Sequence, residues 1–208
     1  MIFFDVLIIT VVFLLFGVSH TILASNKLKE KLVDLIGEKI AFYRLFYNLS
    51  SLIILIVILE ITPKPDIIIY DLESPYDLII FGLQVLSLFG FFWASKGIGI
   101  KEFLGISQIY RYLDNTYDVK ELDEKSTLKL DGAYKFSRHP IYLFSILFLA
   151  LRPTMDLFYL VMFICFTVYF YIGSIYEEKK LVNKFGVEYV EYQKKVPRIF
   201  PIKFTGSK

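Results

Sequence analysis

Long apolar runs alternate with short charged ones along this chain, and run length predicts most of its architecture. Ile2 to Leu23 is apolar except for Asp5 near one end and Ser19-His20 near the other. Tyr43 to Ile61 is a second run, entered through Arg44, Asn48 and Ser51, and Leu78 to Ala94 is a third, with Trp93 at its end. Leu157 to Tyr176 is another. A crossing helix needs about 20 mostly apolar residues, because the hydrocarbon core is roughly 30 Å thick and each residue rises about 1.5 Å. Ile141 to Leu151 is too short to cross alone, but a helix begun near Ala133 would nearly span before Arg152-Pro153 turns the chain back. The expected fold is all-α, an integral membrane bundle of about five transmembrane helices with a C-terminal helical hairpin and an interfacial helix.

The polar segments predict sidedness. Ala24 to Phe42 carries Lys27, Lys29, Lys31 and Lys39, and the spacing of Leu28, Leu32, Leu35 and Ile36 predicts an amphipathic interfacial helix. Thr62-Pro63-Lys64-Pro65 breaks the second run, and the loop to Asp77 holds Asp66, Asp71, Glu73 and Asp77 against Lys64 alone. By the positive-inside rule the first loop is cytoplasmic and the acidic one external, so the N-terminus is expected outside. Lys179, Lys180, Lys184, Lys194, Lys195 and Arg198 put the C-terminus in the cytoplasm, in an inner cell membrane. The first run has no basic stretch before it and is read as a retained helix. The expected organisation is residues 1–95 as scaffold and substrate side, 96–130 as a cytoplasmic connection, and 131–208 as the chemical module. The connection, with Gly97, Gly99, Gly105, Phe103, Tyr110, Tyr112 and Tyr117, predicts an amphipathic surface helix followed by an acidic turn, or a cap over a pocket.

Composition narrows the chemistry. A net charge of +2 over 208 residues, with acids interleaved among the bases, gives no nucleic-acid stripe. One cysteine, Cys165, and two histidines, His20 and His139, build neither a disulfide framework nor a Cys/His metal site, so no metal is expected.

The remaining polar residues gather at the ends of the runs. With the expected topology, His20, Arg44, Asn48, Trp93, Arg138, His139, Glu177 and Glu178 all lie at the cytoplasmic end of a span. His20 reads either as a site group or as an imidazole bonded within the helices. Arg138-His139-Pro140 reads as a helix start, with Pro at the first position, or as an anion site where free amides and an arginine converge. Glu177-Glu178 reads as solvated interface or as acceptors for ligand hydroxyls and amines. Phe185, Tyr189, Tyr192 and Val196, spaced by 4, 3 and 4, predict an aromatic stripe on one helix that Pro197 ends.

Taken together, G-x-Y-x-x-S-R-H-P-x-Y, an apolar hairpin, E-E-x-x-L, F-G-x-x-Y-x-x-Y and V-P-R-x-x-P resemble the C-terminal module of the isoprenylcysteine carboxyl methyltransferase and phospholipid methyltransferase superfamily. The segments SHTILASNKLKE, YRLFYNLSS and KEFLGISQ add a narrower likeness to the bacterial methanethiol S-methyltransferases and related denitrification-associated membrane proteins. The resemblance implies a module that binds S-adenosyl-L-methionine through Arg138, His139, Pro140, Tyr142, Glu177, Glu178 and Tyr189, with Tyr192 and Arg198 closing it. It implies methyl transfer to a small thiol or a lipophilic acceptor, with membrane lipid as surroundings, and His20, Arg44 and Glu177 are the catalytic candidates for it. A carboxylate acceptor needs no base, whereas a thiol with a pKa of about 8.5 needs modest help, for which His20 is the candidate. Isoprenylcysteine carboxyl and phospholipid amine acceptors stay open, as do an NADPH-dependent sterol-type reductase and a non-catalytic membrane protein. Against the reductase, Ile141 follows Pro140 where that group has Asn.

Overall fold

A computed structural model describes residues 1–96, 99–120, 122 and 127–201. Its elements in chain order are α1 (Ile2–Ala24), α2 (Asn26–Ile36), α3 (Tyr43–Ile61), β1 (Ile68–Asp71), α4 (Tyr76–Ser95), α5 (Ile100–Leu104), α6 (Ile106–Leu113), α7 (Pro140–Ala150), β2 (Thr154–Asp156), α8 (Leu157–Phe185) and α9 (Val187–Lys195). Among the described residues the fold is all-α apart from one pair of short strands. Among the described residues, four stretches are long and apolar enough to cross a membrane: α1, the continuous run Asn26–Ile61, α4 and α8. Their large outward side chains, Leu15, Phe46 and Phe89 among them, are exposed, an arrangement stable in lipid rather than in water. The chain divides into two compact units, Met1–Pro63 with Ile98–Thr127, and Lys64–Gly97 with Leu128–Lys208.

In the first unit, Ser25 separates α1 from α2 and caps the latter by accepting the Leu28 N–H at 3.4 Å. Gly37, at φ 57°, ends α2 in a conformation that disfavours side chains. A 3-10 turn over Gly37–Phe42 leads into α3, and the Tyr43 hydroxyl donates to the Leu23 carbonyl at 2.9 Å, tying the start of α3 to the end of α1. Helices α5 and α6 are parted by Gly105, at φ 89°. A Cβ there would lie 2.6 Å from the Leu45 backbone nitrogen, so the absent side chain lets this segment lie directly on the start of α3. The predicted surface helix is thus two short ones. Gly97 and most of the expected acidic turn lie outside the described residues.

In the second unit α7 packs along α4, with the Phe144 ring lying against Gly90. The helix expected from Ala133 does not form. Gly132–Lys135 is a single 3-10 turn, and α7 starts only at Pro140. Proline disfavours helical backbone in the residue before it, and His139 accordingly sits at φ −124°, ψ 64°. The hairpin therefore has arms of unequal length: α7 has 11 residues, roughly 16 Å, and α8 has 29, roughly 44 Å. The last turns of α8, which carry Glu177 and Glu178, extend beyond what a crossing of about 20 residues uses.

At the hairpin tip β1 and β2 pair antiparallel, Tyr70 opposite Met155 and Asp71 opposite Thr154. Asp156 then caps α8 by accepting the Tyr159 N–H at 2.8 Å. Leu143, Ile146 and Ile199 form a buried core, with Leu147, Phe163 and Phe170 packed on it. The aromatic stripe does not run on one helix. Gly186, at φ 58°, ends α8 after Phe185, and Tyr189 and Tyr192 are buried from the separate helix α9.

Candidate functional site

The second unit gathers its site because Pro140 stops the helix from beginning earlier. The freed backbone of Arg138 and His139 donates instead to the carbonyls of Pro197 and Arg198, at 2.9 and 3.0 Å. Ser137 reinforces this clasp through its hydroxyl, which donates to the Arg198 carbonyl at 3.2 Å. The start of α7 is thereby fastened to the segment after α9, with the end of α8 between them.

Adjacent residues on a helix point about 100° apart, and this divides the glutamate pair. Glu178 turns inward with its side chain 4% exposed, whereas the Glu177 side chain is 48% exposed. Arg138 grips Glu178 with two parallel bonds, Nε to Oε1 at 2.8 Å and Nη2 to Oε2 at 3.2 Å. Its remaining Nη1 donates to the carbonyls of Gln193 and Val196 at 2.8 and 3.0 Å. Gln193 Nε2 and Arg198 Nη2 also donate to Glu178 Oε2, at 2.9 and 3.2 Å. Glu178 is thus the hub that holds α7, α8, α9 and the closing segment together.

His139 stands between the two carboxylates. Its Nε2 lies 3.2 Å from Glu178 Oε1 and its Nδ1 3.4 Å from Glu177 Oε2. Only the charged imidazolium supplies a donor at both nitrogens. Burial alone would lower its pKa, but the hydrogen bonds and charges of Glu177 and Glu178 outweigh burial and raise it above the ordinary value. Tyr142 donates to Glu177 Oε2 at 3.0 Å, and its ring stacks on His139 with centroids 5.2 Å apart and on Phe170 at 5.0 Å. The half-exposed Glu177 carboxylate therefore sits at the edge of a stack of three rings.

Three buried donors of this unit have no partner among the described residues, the Thr167 hydroxyl on α8, the Tyr189 hydroxyl on α9 and Arg198 Nε in the closing segment. Tyr189 is 1% exposed, and burial with the nearby Glu178 charge raises its pKa, so it keeps its proton at neutral pH. Such unpaired buried groups disfavour the fold by about 1–3 kcal/mol each and call for an acceptor. The carboxylate and hydroxyl oxygens of S-adenosyl-L-methionine are acceptors of that kind, and the Glu177 carboxylate suits its cationic and amino groups. The residues present fit the group.

Of the residues singled out from sequence, Arg138, His139, Pro140, Tyr142, Glu177, Glu178 and Tyr189 all lie in this unit. His20 and Arg44 lie in the other. Nδ1 of His20 faces Ser51 Oγ at 3.1 Å and its Nε2 faces the Tyr47 hydroxyl at 2.5 Å. Arg44 Nε and Asn48 Nδ2 both donate to the Phe103 carbonyl, at 2.9 and 2.8 Å. Sequence reading missed Gln193 as a ligand of Glu178 and Tyr47 as a partner of His20. The i, i+4 spacing of Tyr47 and Ser51, one face of a helix, was the available signal for the latter. It also missed Glu102, which Arg111 Nη1 and Nη2 grip at 2.5 and 3.3 Å. Among the described residues no group of three or more His, Cys, Asp or Glu side chains could hold a metal.

No family model and no solved structure matches the chain. Among proteins of known name, it is 30% identical over 205 residues to a methanethiol S-methyltransferase of Pseudomonas deceptionensis, covering 95% of this chain and 71% of that protein. It is 30% identical over 192 residues to methanethiol S-methyltransferase 1 of Bradyrhizobium diazoefficiens, covering 90% of this chain and 64% of that one. A methanethiol S-methyltransferase of Crocosphaera subtropica is 29% identical over 201 residues, covering 93% and 73%. The chain thus spans about two thirds to three quarters of the length of these relatives. Each similarity covers nine tenths or more of this chain, far beyond the C-terminal motifs alone, and with the all-α membrane architecture it makes this chain a member of the methanethiol S-methyltransferase family.

Proposed function

We propose that the chain is an S-adenosyl-L-methionine-dependent methyltransferase acting on a small thiol of the methanethiol kind at the cytoplasmic face of an inner cell membrane. The observation that carries this reading is the glutamate pair divided between two tasks, one buried in a frame and one offered at its edge. Arg138 and Glu178 are the frame, holding the start of α7 against the closing segment, with His139 and Pro140 setting where that helix begins. Glu177, Tyr142, Tyr189 and Arg198 Nε are the groups that would hold the cofactor. S-adenosyl-L-methionine, when bound, supplies an electrophilic methyl group on a sulfonium. Glu177 favours positive charge beside it, and the His139–Tyr142–Phe170 stack keeps water away from one side. In the first unit, Arg44 and Asn48 fix the Phe103 carbonyl, and His20 meets the hydroxyls of Ser51 and Tyr47. The lysine-rich loop after α1 and the acidic loop before α4 support a cytoplasmic C-terminus and an external N-terminus.

The test is equilibrium binding of S-adenosyl-L-methionine to the purified protein in mild detergent, with NADPH as control and headspace detection of methyl thioether formed from methanethiol. Saturable binding, weakened at least about tenfold in Glu177→Gln as expected for loss of a charged hydrogen bond, supports the reading. NADPH binding in its place moves the protein to a reductase, and methylation of carboxylates or amines but not of thiols changes the acceptor.

A further inference from the structure

We propose that His139 is a positioning residue: as an imidazolium it holds the Glu177 carboxylate in place, and it gives one proton up to water when a cationic group of the methyl donor is bound at that carboxylate. The inference rests on the methyltransferase reading and deepens it. The ring offers a ligand little to touch. Its nitrogens face Glu177 Oε2 at 3.4 Å and Glu178 Oε1 at 3.2 Å, the residue is 5% exposed, and the Tyr142 ring lies over it with the two planes 5° apart. His139 therefore acts through the carboxylates. These are unequally supplied. Glu178 takes Arg138, Gln193 and Arg198 besides the ring, on both of its oxygens. The ring and the Tyr142 hydroxyl both meet Glu177 at Oε2, from the buried side of a carboxylate that is half-exposed.

Counting charges gives the direction of the proton. Arg138 and Arg198 balance Glu177 and Glu178, so these five side chains are neutral together with a neutral ring and carry one positive charge with an imidazolium. The phenols of Tyr134, Tyr189 and Tyr192 interact with the same carboxylates and keep their protons because burial raises their pKa, and Tyr142 donates its own to Glu177, so none of the four adds charge. In the free protein the two carboxylates outweigh the burial of the ring and favour its charged form. With a sulfonium or ammonium on its exposed side, Glu177 has a second cation to serve, and the charge of the buried ring becomes repulsive. Of the three cations in the cluster only the ring sheds a proton near neutral pH, because a guanidinium does not. One ring N–H bond breaks, its proton goes to water, and the neutral ring keeps one N–H for a carboxylate.

Two measurements on the full-length protein in mild detergent test this. The chain has two histidines, so 15N-histidine labelling leaves two rings to follow. Without ligand the His139 ring is expected to titrate above the ordinary value of about 6.5, and in Glu177→Gln about one pH unit or more lower. A ring that is neutral at that pH, or unmoved in the variant, overturns the proposal. The second measurement is calorimetric titration with S-adenosyl-L-methionine at about pH 6.5, where the free ring is charged, in two buffers of different ionisation heat. Release of close to one proton is expected, with the ring signal turning neutral at saturation. Affinity is expected to strengthen by up to about tenfold per pH unit as pH rises toward the free-protein value and to level off above it. His139→Gln is expected to lose this slope, any remainder belonging to the ligand's own amino group, and a slope unchanged in that variant overturns the proposal. If the variant folds poorly, the buffer comparison on wild type decides alone. Binding without proton release sinks the exchange and leaves the broader reading standing, whereas wild type that binds no S-adenosyl-L-methionine sinks both.

Discussion

The two histidines of this chain sit in opposite surroundings. His139 lies between two carboxylates with Arg138 and Arg198 close behind, a cluster of full charges crossing three segments of one unit. His20 meets two hydroxyls of α3, across two helices of the other. Carboxylates favour the imidazolium and hold its proton, whereas hydroxyls favour neither state strongly and leave the proton free to move. The same side chain thus stands among full charges in one place and against hydroxyls in the other. The charged cluster is expected to weigh more in the stability of the fold than the hydroxyl one.

That contrast breaks first at Glu178. Replacing it by Ala leaves two arginines and His139 around an empty carboxylate position, and removing one partner of a buried ion pair destabilises by about 3–5 kcal/mol. Thermal unfolding in detergent is expected to fall steeply for Glu178→Ala, and a loss under about 1 kcal/mol would remove its role as hub.

A smaller effect sharpens the contrast through pH. Because the folded-state pKa of His139 is raised, its contribution to stability is fully present below the ordinary imidazole value of 6.5 and is lost as pH rises through the folded value. Wild-type stability is expected to decline on the alkaline side of that value, and His139→Gln to lack this part of the decline. Unfolding midpoints of the two proteins across pH 5 to 9 decide it; parallel curves would mean that His139 is neutral when folded.

The smallest effect is at Ser51. Ser51→Ala removes one hydrogen bond between neutral groups, for which about 1 kcal/mol is the usual net loss. A loss as large as that of Glu178→Ala would mean that the two clusters carry the fold equally.

Much of this molecule is legible in one dimension. Run length against bilayer thickness identifies α1, α3, α4 and α8, and Pro140 marks the first residue of α7. The shortness of α7 was legible too, since the restriction a proline places on its predecessor argues against any helix carried from Ala133 through His139. The pairing of β1 with β2 was not, because strands of four and three residues more than 80 positions apart leave no periodicity to read. Nor was the break at Gly186, where a left-handed glycine divides a spacing of aromatics that fits one helix.

What the sequence determined by itself is the class of the protein, its long helices and the residue types gathered at their ends, because hydrophobic burial in lipid depends on composition along the chain. Only the tertiary structure decided which member of each polar group is inside. Neighbours such as Glu177 and Glu178 differ by about 100° of helix rotation, so one becomes a hub and the other an open carboxylate according to what α9 and the closing segment bring against them. Likewise His20 acquires Tyr47 and Ser51 only when α1 and α3 pack, since the partners of a hydrogen bond 27 or 31 residues apart are set by the approach of two helices and not by local spacing.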